Sequence, residues 1–337
     1  MNVLVTRTDR LGDVMMALPA LAWLRAQIPA PHTISLLVKP GPFEAIAPWL
    51  AAQKITAARE PRLNEYEALL LLHFDSELAW EARKVGVRMR IGMRSKLASF
   101  FVLTDGVRQK RSRAEKNEAE YNLDLARYFL RKLGLPERDI PLPRQLIPES
   151  DVEPARRALA KLKLDWDSPF FVLHPGMGGS ALNLDANTYA KLFRSIESEL
   201  KLPVVLSIGP AAADQAMKRE LMTQTPNLRP LEGESLSTIR EVFRRAKAFI
   251  GPSTGPLHLA HYVGTPTVGI FSPVRSHHPR RWAPWGGQGE SRVIAPDIDC
   301  PATARCLGEK CARYDCLTGV DWTAAVVRDL KSLLKLT

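Results

Sequence analysis

The stretch Phe249-Ile250-Gly251-Pro252-Ser253-Thr254-Gly255-Pro256-Leu257-His258-Leu259-Ala260, continued by His261-Tyr262-Val263-Gly264-Thr265-Pro266-Thr267-Val268-Gly269-Ile270-Phe271, decides the fold. An apolar run ends at Gly251, small and hydroxylated residues follow, a helical pattern runs to Gly264, and a β-branched run starts at Thr267. The reading is strand, loop, helix, strand. A helix opening from Ser-Thr-Gly leaves its first N–H groups unpaired and carries partial positive charge at that end, which suits a phosphate. His258 falls three residues after Gly255, so its imidazole can lean back over the opening turn. On these residues alone, an ordinary capped helix with a packed, hydrogen-bonded His258 explains the pattern equally well.

Working outward, a second glycine-rich turn precedes this motif. Phe170-Phe171-Val172-Leu173-His174 reads as a strand and Pro175-Gly176-Met177-Gly178-Gly179-Ser180-Ala181 as a turn before a helix that begins near Asp185. Its spacing is neither that of a Walker loop nor that of the dinucleotide fingerprint. Glycines there let backbone N–H groups approach an anion, and Ser180 adds a hydroxyl donor. Strands at 204–208 and 248–251 and helices at 211–222 and 235–247 complete the alternation. Two such turns at one sheet edge point to a diphosphate site far more strongly than either does alone.

The first half has the same alternation. Asn2-Val3-Leu4-Val5-Thr6 is a strand, and Arg7-Thr8-Asp9-Arg10-Leu11-Gly12-Asp13 leads into an amphipathic stretch from Val14 to Ile28 that Pro19 should kink or restart. Asp13 lies at the carboxyl edge, where open α/β sheets bind ligands. It is either a helix N-cap or a general base. Further strands are expected at 34–38, 55–57, 68–73 and 90–92. A helix at 117–133 carries Tyr121, Leu125, Phe129 and Leu133 as a core stripe. Proline density between Gly134 and Pro169 marks a linker, with a boundary near Pro148 that divides the chain into 1–148 and 149–337.

These motifs, Arg10-Leu11-Gly12-Asp13, His174-Pro175-Gly176 with Gly179-Ser180-Ala181, and Ser253 to Ala260 with Gly264-Thr265-Pro266, together resemble the lipopolysaccharide heptosyltransferases, glycosyltransferase family 9. The resemblance runs over nearly the whole chain, in order and at the right spacing. It implies the GT-B fold, an α/β architecture of two facing Rossmann-like domains, the first on the acceptor side and the second binding the nucleotide sugar. It also implies an inverting transfer of heptose from an ADP-activated donor to the lipopolysaccharide inner core. By the same resemblance Asp13 is the base and His258 lies beside sugar and phosphate. Gly176, Gly178, Gly179, Ser180, Gly209, Ser253, Thr254 and Gly255 hold the donor, and Arg7, Arg10 and Gly12 lie on the acceptor and phosphate side. Domain closure would then bring the reacting atoms together.

Two departures from the family pattern stand out. Ser253 occupies a position where many members carry Asp, and Ser180-Ala181-Leu182-Asn183-Leu184 lacks the cation many place after the glycine-rich turn. Arg7, Arg10 or the Arg275 to Arg281 segment could supply that charge. The alternatives are a transferase using another nucleotide sugar or a protein acceptor, and a catalytically degenerate protein that binds anionic ligands.

The four cysteines, Cys300, Cys306, Cys311 and Cys316, fall in one segment with five, four and four residues between them. Such clustering suggests a structural zinc or iron site, with four free thiols an equal alternative and disulfides behind both. The chemistry itself calls for no cofactor. Asp321 to Leu336 reads as an amphipathic helix capped by Asp321, either crossing back to the first domain, as the resemblance implies, or lying on a membrane.

Composition fits this picture. The 337 residues suit two domains, and 45% hydrophobic and 25% charged content is that of a globular protein. A net charge of +11 points to an anionic partner. Aromatic content of 7% without a basic-aromatic pattern argues against nucleic acid. No apolar run reaches membrane-spanning length and residues 2–6 do not resemble a signal peptide. The expectation is a cytoplasmic enzyme, peripheral to the inner face of the inner membrane, with an anionic glycolipid acceptor.

Overall fold

Strands buried on both faces read as continuous apolar runs, and this chain has them in two sets. In the computed structural model, which describes residues 1–178, 182–303, 305–312 and 316–336, the first set is β1 (Asn2–Thr6), β2 (Thr33–Leu37), β3 (Thr56–Ala58), β4 (Ala68–Leu71), β5 (Met89–Met93) and β6 (Asp105–Val107). The second is β7 (Phe171–Leu173), β8 (Val204–Ser207), β9 (Arg229–Leu231), β10 (Ala248–Pro252), β11 (Thr267–Ile270) and β12 (Ser291–Ile294). The sheets are ordered β3-β2-β1-β4-β5-β6 and β12-β11-β10-β7-β8-β9. Every pairing is parallel, for example Val5 beside Leu36 and Leu70, and Ile250 beside Leu173 and Val268. Numbered within its own half, each sheet has the doubly wound order 3-2-1-4-5-6. Its strand order reverses between β1 and β4 in one and between β7 and β10 in the other, and ligands bind such sheets at that crevice.

Two compact units carry these sheets, Met1–Arg111 with Glu115–Pro148, and Ser112–Ala114 with Glu149–Thr337. In the first, Pro19 does restart the helix. Residues Leu11–Met15 form one short helix, and Leu18–Gln27 a second with the proline in its opening turn, where a missing N–H costs nothing. The helix Glu118–Lys132 starts from a full capping box between Asn117 and Glu120. It buries Tyr121, Leu125 and Phe129 and lies against the helix Leu18–Gln27.

Three strands went unread in the sequence: β6, β9 and β12. All lie at sheet edges, where one side needs no apolar cover, and Asp-Gly-Val, Arg-Pro-Leu and Ser-Arg-Val-Ile lack a continuous apolar run. Two expectations are corrected. The proline-rich stretch is not a free linker: Gln27 Nε2 donates to the Arg138 carbonyl at 2.8 Å and Trp49 Nε1 to Gln145 Oε1 at 3.2 Å. Beyond Pro148, Glu153–Lys161 is a helix that buries Ala155, Ala158 and Leu159. The terminal helix Trp322–Leu334, capped by Asp321 as its sequence suggests, belongs to the second unit and does not present its apolar face outward. Val326, Leu330 and Leu333 join Phe193, Ile196 and Ile270 in the core of the second unit, so burial against its own sheet and the helix Ala186–Leu200 uses that face.

Candidate active site

In the first unit the loop leaving β1 folds around a buried arginine. Arg7, 2% exposed, donates Nη2–H to Asp13 Oδ1 at 2.7 Å and to Glu118 Oε1 at 3.3 Å, and Nη1–H to the Leu72 carbonyl at 3.0 Å and Asn122 Oδ1 at 3.1 Å. Its Nε lies 2.9 Å from Asp9 Oδ1, an ion-pair contact whose N–H is not aimed at the oxygen, so neither atom completes a hydrogen bond there. The neighbouring carboxylates hold the guanidinium charged against the cost of its burial. Burial raises the Asp9 carboxyl above its ordinary range, against the pull of Arg7 and of His73, whose Nδ1 is 3.4 Å away. Arg111 adds a second cation on Glu118 and reaches Asn122 at 3.4 Å.

Two sequence readings change here. Arg10, not Asp13, is the N-cap of the helix Leu11–Met15 and makes no side-chain cap. Asp13 is the third residue of that helix, 22% exposed, with Oδ1 held by Arg7. Arg7 is buried and both of its terminal nitrogens are bonded within the protein, so its charge is spent on positioning carboxylates rather than meeting a phosphate. Arg10 is exposed. Gly12 lies in the first turn, its carbonyl accepting from Met16 N–H at 3.0 Å. Sequence reasoning missed Asp9, Glu118 and Asn122; the signal was two polar residues four apart on the buried face of an otherwise apolar helix stripe.

In the second unit, adjacent strands β7 and β10 deliver both glycine-bearing turns to one edge. The His174 N–H donates to the Ile250 carbonyl at 2.8 Å, and a Cβ on Gly251 would sit 2.8 Å from the His174 carbonyl oxygen, so only glycine permits that approach. The helix Gly255–Tyr262 then begins with no side-chain cap, because the Thr254 hydroxyl turns back to the Pro252 carbonyl at 3.2 Å. Ser253 donates its N–H to the Ile270 carbonyl at 3.1 Å. Gly264, at φ 89°, ends the turn after the helix.

Two histidines on that helix have opposite environments. His261 is satisfied, its Nε2 accepting from Gly287 N–H at 3.0 Å and its Nδ1 3.1 Å from Ser291 Oγ. His258 is 2% exposed, yet its Nδ1 has no hydrogen-bond partner among the described residues. Burial pushes its pKa down to about 3, with His261 adding to the effect, so it is neutral at physiological pH. A buried polar atom without a partner costs roughly 1–3 kcal/mol and is informative where it persists. The Trp282 ring, from the segment that carries Arg280 and Arg281, lies 6.4 Å from the imidazole. His174, by contrast, bonds Ser207 Oγ at 3.2 Å, and burial lowers its pKa to about 4.

The first turn is organised around a residue that the sequence did not single out, Asp214. This buried carboxylate accepts from Gly178 N–H at 3.0 Å, with Gly178 at φ 54°. A Cβ on Gly176 would lie 2.7 Å from Asp214 Oδ1, and one on Gly209 2.3 Å from Oδ2. Gly176, Gly178 and Gly209 are therefore brought together, but around a side chain, and the Gly178 amide is committed to it. Asp214 could have been suspected as an acid in the first turn of the helix after Gly209. Gly179 and Ser180 lie outside the described residues.

The four cysteines form no disulfide, with Cys306 exposed and the others half-buried. Burial raises the Cys316 thiol, and Cys306, Cys300 and Cys311 raise it further, so the four share one neighbourhood. Among the described residues no three His, Cys, Asp or Glu side chains are arranged to hold a metal ion.

A model of glycosyltransferase family 9 (heptosyltransferase) matches residues 56–302. A Haemophilus influenzae protein named "Putative glycosyltransferase" is 32% identical over 302 residues, spanning 84% of this chain and 86% of that protein. Among solved structures, the E. coli ADP-heptose lipopolysaccharide heptosyltransferase II aligns with a TM-score of 0.73 at 22% identity over 99% of this chain and 98% of its own. A family 9 glycosyl transferase from Veillonella parvula gives 0.77 at 18%, covering 99% and 97%. The iron-containing dodecameric glycosyltransferase TibC of E. coli gives 0.59 at 12%, covering 99% and 76%. At such identities the likeness establishes the fold, which is GT-B.

Proposed function

The chain belongs to glycosyltransferase family 9 and is a glycosyltransferase; from that premise we propose that it transfers heptose from ADP-heptose to a sugar hydroxyl of the lipopolysaccharide inner core, with inversion. In the proposed step the Asp13 carboxylate takes the proton of the acceptor hydroxyl. The freed oxygen pair bonds the anomeric carbon, and the bond from that carbon to the diphosphate oxygen breaks, its electrons leaving with ADP. Arg7 holds the Asp13 carboxylate in place through its Nη2. Thr254, Gly255 and the uncapped first turn meet the leaving diphosphate, whose charge grows in the transition state. His258, neutral, offers that site a proton-bearing ring rather than a charge. Gly176, Gly178, Gly179, Ser180 and Gly209 shape the donor side, with Asp214 bracing the turn. Two solved structures of similar fold are the E. coli heptosyltransferase WaaC with ADP and with ADP-2-deoxy-2-fluoro heptose, which supports an adenosine diphosphate donor.

The observation that carries this reading is the unpartnered Nδ1 of buried His258, beside an uncapped helix start at the point of strand-order reversal. A thermal-shift panel with ADP, UDP, GDP and CMP tests it. A ligand at about 100 times its Kd adds about 2.7 kcal/mol, so a selective rise with ADP supports the reading, and a rise with another nucleotide alone sinks it. Ser253 and the cation-free Leu182-Asn183-Leu184 favour a second reading, a different nucleotide sugar on the same scaffold, which that outcome would identify.

A structural zinc or iron at Cys300, Cys306, Cys311 and Cys316 forms a separate proposal. It is supported by their shared neighbourhood, and the present arrangement would have to tighten to accept it. No step of the transfer runs through it. An anionic glycolipid acceptor places the enzyme at the cytoplasmic membrane face.

A further inference from the structure

No helix among the described residues is long and apolar enough to cross a membrane, yet one face of the first unit is apolar where solvent should be. Of the ten large hydrophobic side chains exposed on the described surface, five fall between residues 80 and 101: Trp80, Val85, Leu97, Phe100 and Phe101. They sit on or beside two helices in contact, Ser76–Lys84 and Leu97–Val102. The second helix buries only Ser99 and Val102 and turns Leu97, Phe100 and Phe101 outward, at 77%, 55% and 63% exposure. A helix with its larger apolar side chains outside is the reverse of a core element, and a contiguous patch of this kind marks an interaction surface.

The charge around it names the partner. From Arg83 to Lys96 the chain carries six cations, and no acid occurs from residue 82 to 104. Arg83 holds the Phe101 carbonyl, and Arg90 Nε the Val102 carbonyl at 2.8 Å. Both guanidinium groups fasten the outward helix through neutral carbonyl oxygens rather than carboxylates. Arg83 also covers the Trp80 ring at 5.5 Å, and Arg94, which pairs with Asp105 at 3.7 Å, covers Phe100 at 5.7 Å. Glu77 and Glu81 flank Trp80 on the first helix, so the stretch free of acids is the one that carries Leu97, Phe100 and Phe101. Aromatic wedges inside a cationic rim complement an anionic lipid surface, apolar groups to the acyl boundary and cations to the headgroups. A second copy of the same face would set like charges against each other.

We propose that this face docks the enzyme on an anionic phospholipid bilayer, with Leu97, Phe100 and Phe101 inserted. The helix Leu97–Val102 starts at the carboxyl end of β5, the same sheet edge from which the Arg7 to Asp13 loop leaves β1, so a bilayer-held acceptor would meet that edge. This inference rests on the transferase reading for its purpose, not for its test. The full chain is sedimented with vesicles of phosphatidylcholine alone and of phosphatidylcholine with phosphatidylglycerol. Binding should favour the anionic vesicles and weaken with salt. The triple variant Leu97→Ser/Phe100→Ser/Phe101→Ser should lose roughly tenfold or more in partition, as should Arg88→Glu/Lys96→Glu, with the ADP thermal shift of each unchanged. Equal binding to both vesicles, equal binding by the triple variant, or a dimer that the triple variant converts to monomer would each overturn the proposal. An absent ADP shift with intact vesicle binding would instead count against the donor assignment alone.

Discussion

Arg7 Nη2 and Asp13 Oδ1 lie 2.7 Å apart, and the same nitrogen reaches Glu118. A guanidinium enclosed by carboxylates and carbonyls fixes orientation as well as charge. Replacing Arg7 by Met leaves Glu118 buried with one cation fewer and should cost about 3 kcal/mol or more, seen in urea melts. Arg7→Lys should recover part of that stability but little turnover, because a point charge cannot hold both carboxylates and the Leu72 carbonyl at once.

If Asp13 is the base, Asp13→Asn removes proton acceptance with little change of shape. Turnover should fall by about 10²- to 10⁴-fold while ADP still raises the melting temperature as in the parent. A variant within a few fold of the parent rate would reduce Asp13 to a partner of Arg7.

Burial of two neutral imidazoles makes stability depend on pH. His258 and His174 have folded pKa values pushed down to about 3 and about 4, against an ordinary value near 6.5. Below about pH 6.5 the unfolded chain binds protons the folded one refuses, so stability is intact above that pH and falls as pH drops toward 4 and then 3. At pH 5.5 each should cost about 1 kcal/mol. His258→Gln should flatten the acid limb of a melting-temperature profile; an unchanged slope would mean that the ring titrates normally.

The clearance around Asp214 permits a coupling test. A methyl at Gly209 would fall 2.3 Å from Oδ2, so Gly209→Ala should destabilise by about 1–3 kcal/mol. With Asp214→Ala as background the same change should cost much less, a coupling that a double-mutant cycle in denaturant reads directly. Additive losses would mean that the clash is relieved elsewhere.

Metal analysis of protein purified without chelator decides the cysteine cluster. One equivalent of zinc or iron, lost in a Cys300→Ser/Cys316→Ser variant along with part of the stability, is the expected result; metal-free protein with four titratable thiols excludes the site.

The sequence alone determined the α/β class, the alternation in both halves and the family resemblance, because central parallel strands and glycine-bearing turns write their requirements into adjacent residues. The restart at Pro19, the helix start near Asp185 and the cap at Asp321 were local in the same sense. Only the tertiary structure decided that Arg7 serves Asp13 rather than a phosphate, since its partners Glu118 and Asn122 lie over a hundred residues away. It alone separated His258 from His261, three positions apart on one helix, because a ring's partners come from whatever strand or loop packs beside it. The same holds for the terminal helix: amphipathicity predicts that a face will be covered, and only packing against β11, β12 and the helix Ala186–Leu200 says by what.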